Sequence, residues 1–413
     1  MIIRKKYLFY TLAIISSFIA ALTTSVDTII SNSYIKNPWA FGFSLFFVGS
    51  IITLLITLVF SIPIKKRSIG AKILDPSFKR IRLVQKKELK YHSIAGLMNA
   101  INTIGYCALL SIVLEPSVVL SFSQVVIVYL LLMESITEKD VPTLVEVQSL
   151  VIVTFGAILA SISLTGEINL MSILIVFVVI SPTWAIFSIY QRRLKIMKIN
   201  NKPNDSLNIR FWNVLFSLFF ITLFLIGYDV FFGSQYTLLG VVASIQYFWW
   251  IALTMGITFF AYVLYIRSLG LGKASINNAI RASTIIFALP LSFILTTYFG
   301  LPMFSTDPVM LIIKVIGMIL IVLGIISFAL ALVKAYVFIT VKPGYPLRET
   351  MKKLWDIRGV THVTITAGRY DFIVKVSTRT LMKGYEKIIR KLEEIPEIQK
   401  HHWASVLKDW ENI

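Results

Sequence analysis

The sequence has few charged residues, a single cysteine and none of the common catalytic motifs. Only 15% of its 413 residues are charged, whereas typical soluble domains have about 25%. Cys107 is the sole cysteine, which excludes an intrachain disulfide and a cysteine-ligated metal site. The chain contains no GxxxxGK[ST] phosphate loop, no HExxH helix and no Gly-x-Ser-x-Gly turn. We therefore predict that the protein is not an enzyme and needs no metal or cofactor.

Hydrophobic residues make up 57% of the chain, and they are concentrated in residues 1–334 as long apolar runs. A helix needs about 20 apolar residues to cross the roughly 30 Å hydrocarbon core of a bilayer. Ten runs meet this requirement, so we predict an α-helical polytopic membrane domain with ten transmembrane helices. The predicted spans cover residues 7–30, 38–62, 92–112, 116–135, 143–164, 169–190, 210–231, 245–267, 274–298 and 309–333.

The net charge of +19 could indicate a nucleic-acid-binding protein, but its distribution follows the predicted spans. With a cytoplasmic N-terminus, the inner segments up to Lys334 carry 23 Lys and Arg residues, and the outer loops carry only Lys36. This bias is the positive-inside rule of membrane proteins. We therefore predict a multi-pass protein of the cell membrane, with both termini in the cytoplasm and no nucleic-acid partner.

The ten predicted spans divide into two sets of five, in residues 7–164 and 169–333. An odd number of spans gives the two sets opposite orientations, and such inverted repeats are common in secondary transporters. The arrangement predicts a substrate site near the middle of the membrane, between the two sets. The third span of each set carries polar residues at the same spacing, namely Asn102 with Tyr106 and Thr258 with Tyr262.

Four short segments within residues 7–333 are distinctive: Leu114-Glu115-Pro116-Ser117, Met133-Glu134-Ser135-Ile136-Thr137, Pro182-Thr183-Trp184-Ala185, and Tyr265 with Leu269-Gly270. They resemble the EamA-type family of the drug/metabolite transporter superfamily. The resemblance implies a secondary transporter of small metabolites. The sequence departs from the family in two ways, because its second span lacks a basic residue that is common there, and Glu134 has no counterpart at the end of the ninth span. These departures leave the substrate and the coupling ion open.

Arg281 is the most informative ionisable residue in the spans. It lies about seven residues, or roughly 10 Å, inside the ninth predicted span, where a charge is costly and usually faces a cavity or a partner. Asn277 and Asn278 are its i−4 and i−3 neighbours. Two interpretations remain open. Arg281 either contacts an anionic substrate group such as a carboxylate, or extends to the inner lipid headgroups.

Four other charged residues lie in or near the spans: Asp27, Glu115, Glu134 and Lys314. Each of the three acidic residues is either an interfacial charge or a group that faces a cavity or a partner, and we favour the interfacial charge because they lie near predicted span ends. Lys314 either has a functional role inside the tenth span or extends its side chain to the outer headgroups, and the sequence fits both interpretations.

Polar side chains also form stripes along the third and eighth spans. Such stripes either line a cavity or bond neighbouring helices, and we favour the cavity because the two spans are equivalent in the predicted repeat. The predicted substrate-binding residues are Asn99, Asn102, Tyr106, Gln124, Trp184, Thr258, Tyr262, Asn277 and Arg281.

Residues 335–413 have the composition of a soluble domain. Their pattern predicts the order βαββαβ of a small ferredoxin-like α+β domain. The predicted strands cover residues 335–341, 360–366, 372–376 and 398–407, and the predicted helices cover residues 347–357 and 381–392.

This segment contains Ile339-Thr340-Val341-Lys342-Pro343-Gly344, Ile357-Arg358-Gly359-Val360, Ala367-Gly368-Arg369-Tyr370-Asp371 and Ile395-Pro396-Glu397-Ile398. These motifs resemble the effector-binding domain of the Lrp/AsnC family of regulators. The resemblance implies a homo-oligomer formed through this domain and a small, amino-acid-like effector. It makes Gly368, Tyr370 and Asp371 candidate effector contacts. Alternatively, Gly368 only permits a tight turn and Asp371 bonds its own backbone.

Two functions are compatible with this organisation. The first is a secondary transporter, an exporter of small metabolites such as amino acids, regulated by a cytoplasmic sensor domain. The alternative is a membrane-anchored metabolite sensor without transport activity. An intramembrane enzyme is disfavoured because the sequence shows no catalytic constellation. In either case the expected partners are membrane lipid and small molecules.

Overall fold

The structure is a computed structural model. It describes residues 5–65, 67–113, 119–120, 123–138, 144–160, 170–199, 202–272, 274–299, 308–330, 333–357, 359–378 and 388–405. The chain divides into two compact units: Met1–Thr137 with Ser149–Ile325, and Glu138–Gln148 with Ile326–Ile413.

Among the described residues, six helices of the first unit are long and apolar enough to cross a membrane. They account for six of the predicted spans, and several begin or end a few residues outside the predicted bounds. These helices are α1 (Lys5–Ser33), α2 (Pro38–Ser61), α4 (Lys86–Ile112), α7 (Leu170–Ile196), α8 (Ser206–Phe232) and α10 (Phe248–Leu269). The described part of the first unit is therefore a helical region with about six candidate membrane spans.

The other described helices of this region have 5 to 17 residues, except Pro308–Leu330, which has 23. Some of them stand in place of the remaining four predicted spans, so the count of ten stays a prediction. These helices are α3 (Ile69–Ile73), α5 (Val126–Glu138), α6 (Leu144–Ala160), α9 (Tyr236–Gln246), α11 (Ala274–Arg281), α12 (Thr284–Phe299) and α13 (Pro308–Leu330).

Two of the predicted spans are irregular in the structure. The ninth is broken at Ala282 and Ser283, which form a turn between α11 and α12. Within α7, Ile175–Ile180 form a π-helical segment directly before Pro182. Proline lacks the N–H that would continue the regular helical ladder, and π-helical turns are frequent at functional sites.

The long helices pack in a pattern that is symmetric with respect to the two predicted sets of five. Helix α1 packs along α10, and α7 packs along α4; likewise α2 packs on α10, and α8 packs on α4. In each pair, one contact becomes the other when both helices are exchanged for those at the same positions in the other set.

Two helical glycines allow a close approach of α6 and α13. A Cβ atom on Gly156 would lie 2.6 Å from the carbonyl oxygen of Gly317, and one on Gly324 would lie 3.0 Å from that of Ser149. These two contacts are reciprocal, because each helix supplies one glycine and one facing carbonyl. They hold the two helices antiparallel at backbone distance.

Two short hairpins of the first unit pair β1 (Pro63–Ile64) with β2 (Arg67–Ser68) and β3 (Lys198–Ile199) with β4 (Lys202–Pro203).

The second unit contains four longer strands and a helix. They are β5 (Val333–Val341), α14 (Leu347–Trp355), β6 (Val360–Ile365), β7 (Phe372–Thr378) and β8 (Ile398–Ser405). The strands form an antiparallel sheet in the order β6-β7-β5-β8. Helix α14 and a helical turn at residues 388–393 complete the predicted order βαββαβ, and the α+β prediction is confirmed. Valine, isoleucine, leucine and phenylalanine side chains of the strands and helices form the core.

Candidate functional site

A cavity of about 180 Å³ lies among the long helices of the first unit. One water molecule needs roughly 10–15 Å³ by the same kind of measure, so the cavity has room for a small organic molecule. Its wall combines apolar side chains, such as Leu45, Phe46 and Met255, with polar ones. The polar and charged residues of the wall are Thr23, Thr24, Asp27, Asn99, Asn102, Thr103, Tyr106, Ser123, Gln124, Trp184, Arg210, Thr258, Tyr262, Asn278, Arg281 and Thr284.

Eight of the nine predicted substrate-binding residues line this one cavity. They come from four helices and from the short 3₁₀ turn before α5, so the structure brings together residues that are far apart in sequence. They are Asn99, Asn102, Tyr106, Gln124, Trp184, Thr258, Tyr262 and Arg281. Whether they bind a substrate stays a prediction.

Asn277 is the exception among the predicted residues. Its side chain is buried beside α10, where the Ser268 hydroxyl donates to its Oδ1 at 2.9 Å. The i−4 and i−3 neighbours of Arg281 lie on either side of it around the helix, and the cavity is on the side of Asn278. Asn277 is therefore not among the residues that line this cavity, and its role in substrate binding stays a prediction.

Arg281 is held over two aromatic rings. Its guanidinium carbon lies 4.4 Å from the centre of the Tyr265 ring and 5.5 Å from that of Trp184. Asn278 orients both rings, because its Nδ2 donates to the Tyr265 hydroxyl at 3.1 Å and its Oδ1 accepts from Trp184 Nε1 at 3.2 Å. The buried Nε of Arg281 has no hydrogen-bond partner among the described residues. Arg281 thus lies against the cavity, which favours the first of its two interpretations.

A second guanidinium, that of Arg210, lines the same cavity. Its carbon lies 4.1 Å from the centre of the Tyr262 ring, and the side chain is almost fully buried. Arg210 is one of the 23 Lys and Arg residues counted on the inner side, because the seventh span was predicted to begin there. Helix α8 begins earlier, at Ser206, with Asp205 as its N-cap. Arg210 is therefore inside the helix, and its interpretation as a loop charge was wrong.

Asp27 is also in the cavity wall. Its side chain is only 3% exposed. Thr254 Oγ1 donates to one carboxylate oxygen at 2.6 Å, and the Tyr106 hydroxyl donates to the other at 3.0 Å. The interfacial interpretation failed because α1 continues to Ser33, which places Asp27 about two turns from the helix end.

Glu134 is buried too, and it caps a helix. The backbone N–H groups of Ala274 and Ser275 donate to its Oε1 at 3.0 and 3.3 Å, at the first turn of α11. A carboxylate at this position is stabilised by the unpaired N–H groups of the helix end. Glu134 therefore positions the helix that carries Arg281 and is no interfacial charge. Glu115 and the Lys314 side chain lie outside the described residues.

A buried polar network links two of the connections between helices. Asp75, between α3 and α4, pairs with Lys195 of α7 and accepts hydrogen bonds from the backbone and hydroxyl of Ser206 at 2.8 and 2.7 Å. Glu88 of α4 pairs with Arg82 through two contacts of 2.7 Å. Because Ser206 is one turn before Arg210, the network lies beside the cavity wall.

The charge state of Asp75 depends on these contacts. Burial raises the pKa of the Asp75 carboxyl. The contacts with Lys195, Ser206 and the Ser77 backbone together lower it by more, so the pKa lies below its usual value. Asp75 is therefore anionic at neutral pH, and it is paired with a lysine that is itself 6% exposed.

In the second unit, the predicted effector loop connects β6 to β7. Asp371 Oδ2 accepts from the Val341 N–H at 2.7 Å, so this carboxylate bonds the end of β5 and not its own loop. The Tyr370 ring packs on Phe338, with 5.1 Å between the ring centres. Gly368 is not among the positive-φ glycines, and a Cβ there would meet nothing within 4 Å. Neither part of the alternative interpretation of this loop is supported.

The second unit also matches a known family. Residues 334–411 match the family model of the Lrp/AsnC ligand binding domain. This segment is an Lrp/AsnC ligand-binding domain. The Lrp/AsnC domain implies a small-molecule effector, and the match confirms the resemblance of its motifs.

No curated protein matches the chain. One solved structure, described as "Crystal structure of protein", aligns with 77% of this chain and 98% of its own at 13% identity, with a TM-score of 0.47. This likeness is too weak to carry an argument.

The Lys195–Asp75 pair gives a direct test of the buried network. Replacing Lys195 with methionine keeps the length of the side chain but leaves Asp75 buried without its cation, which typically costs 3–5 kcal/mol. We expect K195M to lower the free energy of unfolding by about this amount in detergent micelles. The exposed Lys198 provides the matched control, and K198M should change stability by less than about 0.5 kcal/mol. Equal stability of the two variants would contradict the network.

Proposed function

We propose that this protein is a secondary transporter, an exporter, of small metabolites that carry a carboxylate, such as amino acids. The observation that carries the proposal is the cavity among the candidate spans, with Arg281 on its wall. A guanidinium suits a carboxylate because it offers two parallel donors. The EamA-type resemblance of residues 7–333 supports the same function, and we propose no enzymatic activity.

The symmetric packing supports an inverted repeat of two five-helix halves. The contacts of α1 with α10 and of α7 with α4 are equivalent under such a repeat, as are those of α2 with α10 and of α8 with α4. The reciprocal contacts of Gly156 and Gly324 fit the same symmetry. Transporters of this plan bind substrate between the halves, and residues of both proposed halves line the cavity. The full count of ten spans belongs to this proposal.

Orientation and regulation complete the proposal. The excess of Lys and Arg on one side of the predicted spans favours a cell-membrane protein with both termini in the cytoplasm. The Lrp/AsnC domain would then sense the internal pool of metabolites and adjust efflux. We propose that Gly368, Tyr370 and Asp371 contact its effector and that the domain forms a homo-oligomer.

The second candidate function is a membrane-anchored sensor that transports nothing. The Lrp/AsnC domain is the observation that favours it. An anchor alone does not need a polar cavity with buried charges, so the transporter accounts for more of the molecule.

Arg281 provides the central mutational test. In proteoliposomes that contain the full-length protein, we expect R281A to reduce the flux of its preferred amino acid by roughly 10- to 100-fold, since a charged hydrogen bond contributes about 1.5–3 kcal/mol. R281K should keep part of the flux, because lysine keeps the positive charge but lacks the two parallel donors of the guanidinium. Radiolabelled exchange across the twenty amino acids measures both.

The exposed Arg80 is the matched control, and R80A should transport at the wild-type rate. Normal transport by R281A would refute the role of Arg281. No flux of any carboxylate by the wild-type protein would favour the anchored sensor.

The sensor loop makes a separate prediction. In the wild-type protein, flux should change with the amino-acid concentration on the side of the Lrp/AsnC domain, at constant substrate gradient. Y370A should weaken this dependence while the basal flux stays within about twofold, because Tyr370 lies in the other compact unit from the cavity. A wild-type flux that ignores this concentration would remove the regulatory part of the proposal.

A further inference from the structure

The cavity contains buried charges of both signs that are not paired with one another. Asp27 receives hydrogen bonds from Tyr106 and Thr254, which fix both carboxylate oxygens but bring no positive charge. No described Lys, Arg or His forms an ion pair with it. A buried carboxylate in this state is held in place but not neutralised.

The two guanidiniums of the cavity are in the converse situation. Arg210 lies over Tyr262, and Arg281 lies over Tyr265 and Trp184. No described carboxylate pairs with either of them, and the buried Nε of each has no hydrogen-bond partner among the described residues. Aromatic faces compensate a cation only in part.

Asn102 adds an unused acceptor. Its Oδ1 is buried, lines the cavity and has no hydrogen-bond partner in the part of the chain that the structure describes. Asn102 is one turn before Tyr106 on α4, so the two share a face of the helix. Since Tyr106 bonds Asp27, a free acceptor and an uncompensated carboxylate occur on the same side of α4.

An anion without a positive group would be attracted by the two arginines but repelled by Asp27. A cation without a negative group would be attracted by Asp27 but repelled by the arginines. A molecule with both charges offers a partner of opposite sign to Asp27 and to one of the two arginines. We propose that the cavity recognises a zwitterion, whose ammonium group contacts Asp27 and Asn102 while its carboxylate contacts Arg281 or Arg210. This inference rests on the proposed function and narrows its substrates from carboxylates to α-amino acids and similar zwitterions.

The apolar part of the wall suits an apolar side chain on such a ligand. Leu45, Phe46, Ile180 and Met255 contribute it. We therefore choose L-leucine, L-methionine and L-phenylalanine as probes. Each is compared with its desamino acid and with its decarboxylated amine, so that one charge is removed at a time.

Calorimetric titration of the full-length protein in nanodiscs tests the inference. We expect the wild-type protein to bind at least one of the three amino acids more than tenfold tighter than its desamino acid and its amine. D27N should lower the affinity for that amino acid at least tenfold and leave the affinity for the desamino acid unchanged or higher. The exposed Asp356 provides a control, and D356N should bind like the wild type.

Each other outcome overturns the inference in a recognisable way. Equal affinity of the wild type for the amino acid and its desamino acid excludes an ammonium site but leaves carboxylate transport intact. An equal loss of both ligands in D27N assigns Asp27 a purely structural role. A D27N protein with wild-type affinities that has lost flux driven by a pH gradient assigns Asp27 to proton coupling. Binding of none of the nine compounds overturns the zwitterion site, and flux in proteoliposomes then decides separately on the proposed function.

Discussion

A charge buried among apolar helices must be compensated, and this constraint shapes the helical unit more than any other interaction. The structure meets it in two ways. Beside the cavity, Lys195 with Asp75 and Arg82 with Glu88 are paired within the protein. In the cavity, Asp27, Arg210 and Arg281 are held by neutral hydroxyls or aromatic rings. Because these three cavity charges have no partner of opposite charge among the described residues, they favour a ligand that carries such charges.

The surrounding structure serves to hold those side chains in place. Glu134 caps the short helix that carries Arg281, and Asn278 fixes the two rings beneath its guanidinium. The break between α11 and α12 places Arg281 at a helix end, where its side chain reaches the cavity. Broken helices beside a substrate site are a feature of several transporter folds. In the proposed mechanism, the side of the wall around Arg281 is therefore fixed before the ligand binds, by the contacts of Glu134 and Asn278.

Much of this arrangement could be predicted from the sequence, since long apolar runs and period-3.6 polar stripes depend on local chemistry. The stripes that carry Asn102 and Thr258 face one cavity, and the Lrp/AsnC domain was evident from its motifs. Asp27 and Arg210 could not be placed correctly, because a shift of one or two turns in a helix end decides whether a charge is buried or interfacial. For Arg210 the signal was present in the capping residue, since Asp205 directly precedes a helix that begins with Ser206. The contact of Asn277 depends on the rotation of α11, which no sequence pattern specifies.

Chemical modification of single cysteines tests most directly whether a water-filled cavity lies within the membrane-embedded bundle. In a C107A background, Thr103 of the cavity wall and the outward-facing Phe219, which is 61% exposed in the middle of α8, are each replaced by cysteine. A charged, water-soluble thiosulfonate reagent should modify T103C in proteoliposomes, and a bound amino acid should slow that reaction, whereas F219C in the lipid should not react. Modification of F219C at the rate of T103C, or no reaction of T103C in any condition, would contradict the account.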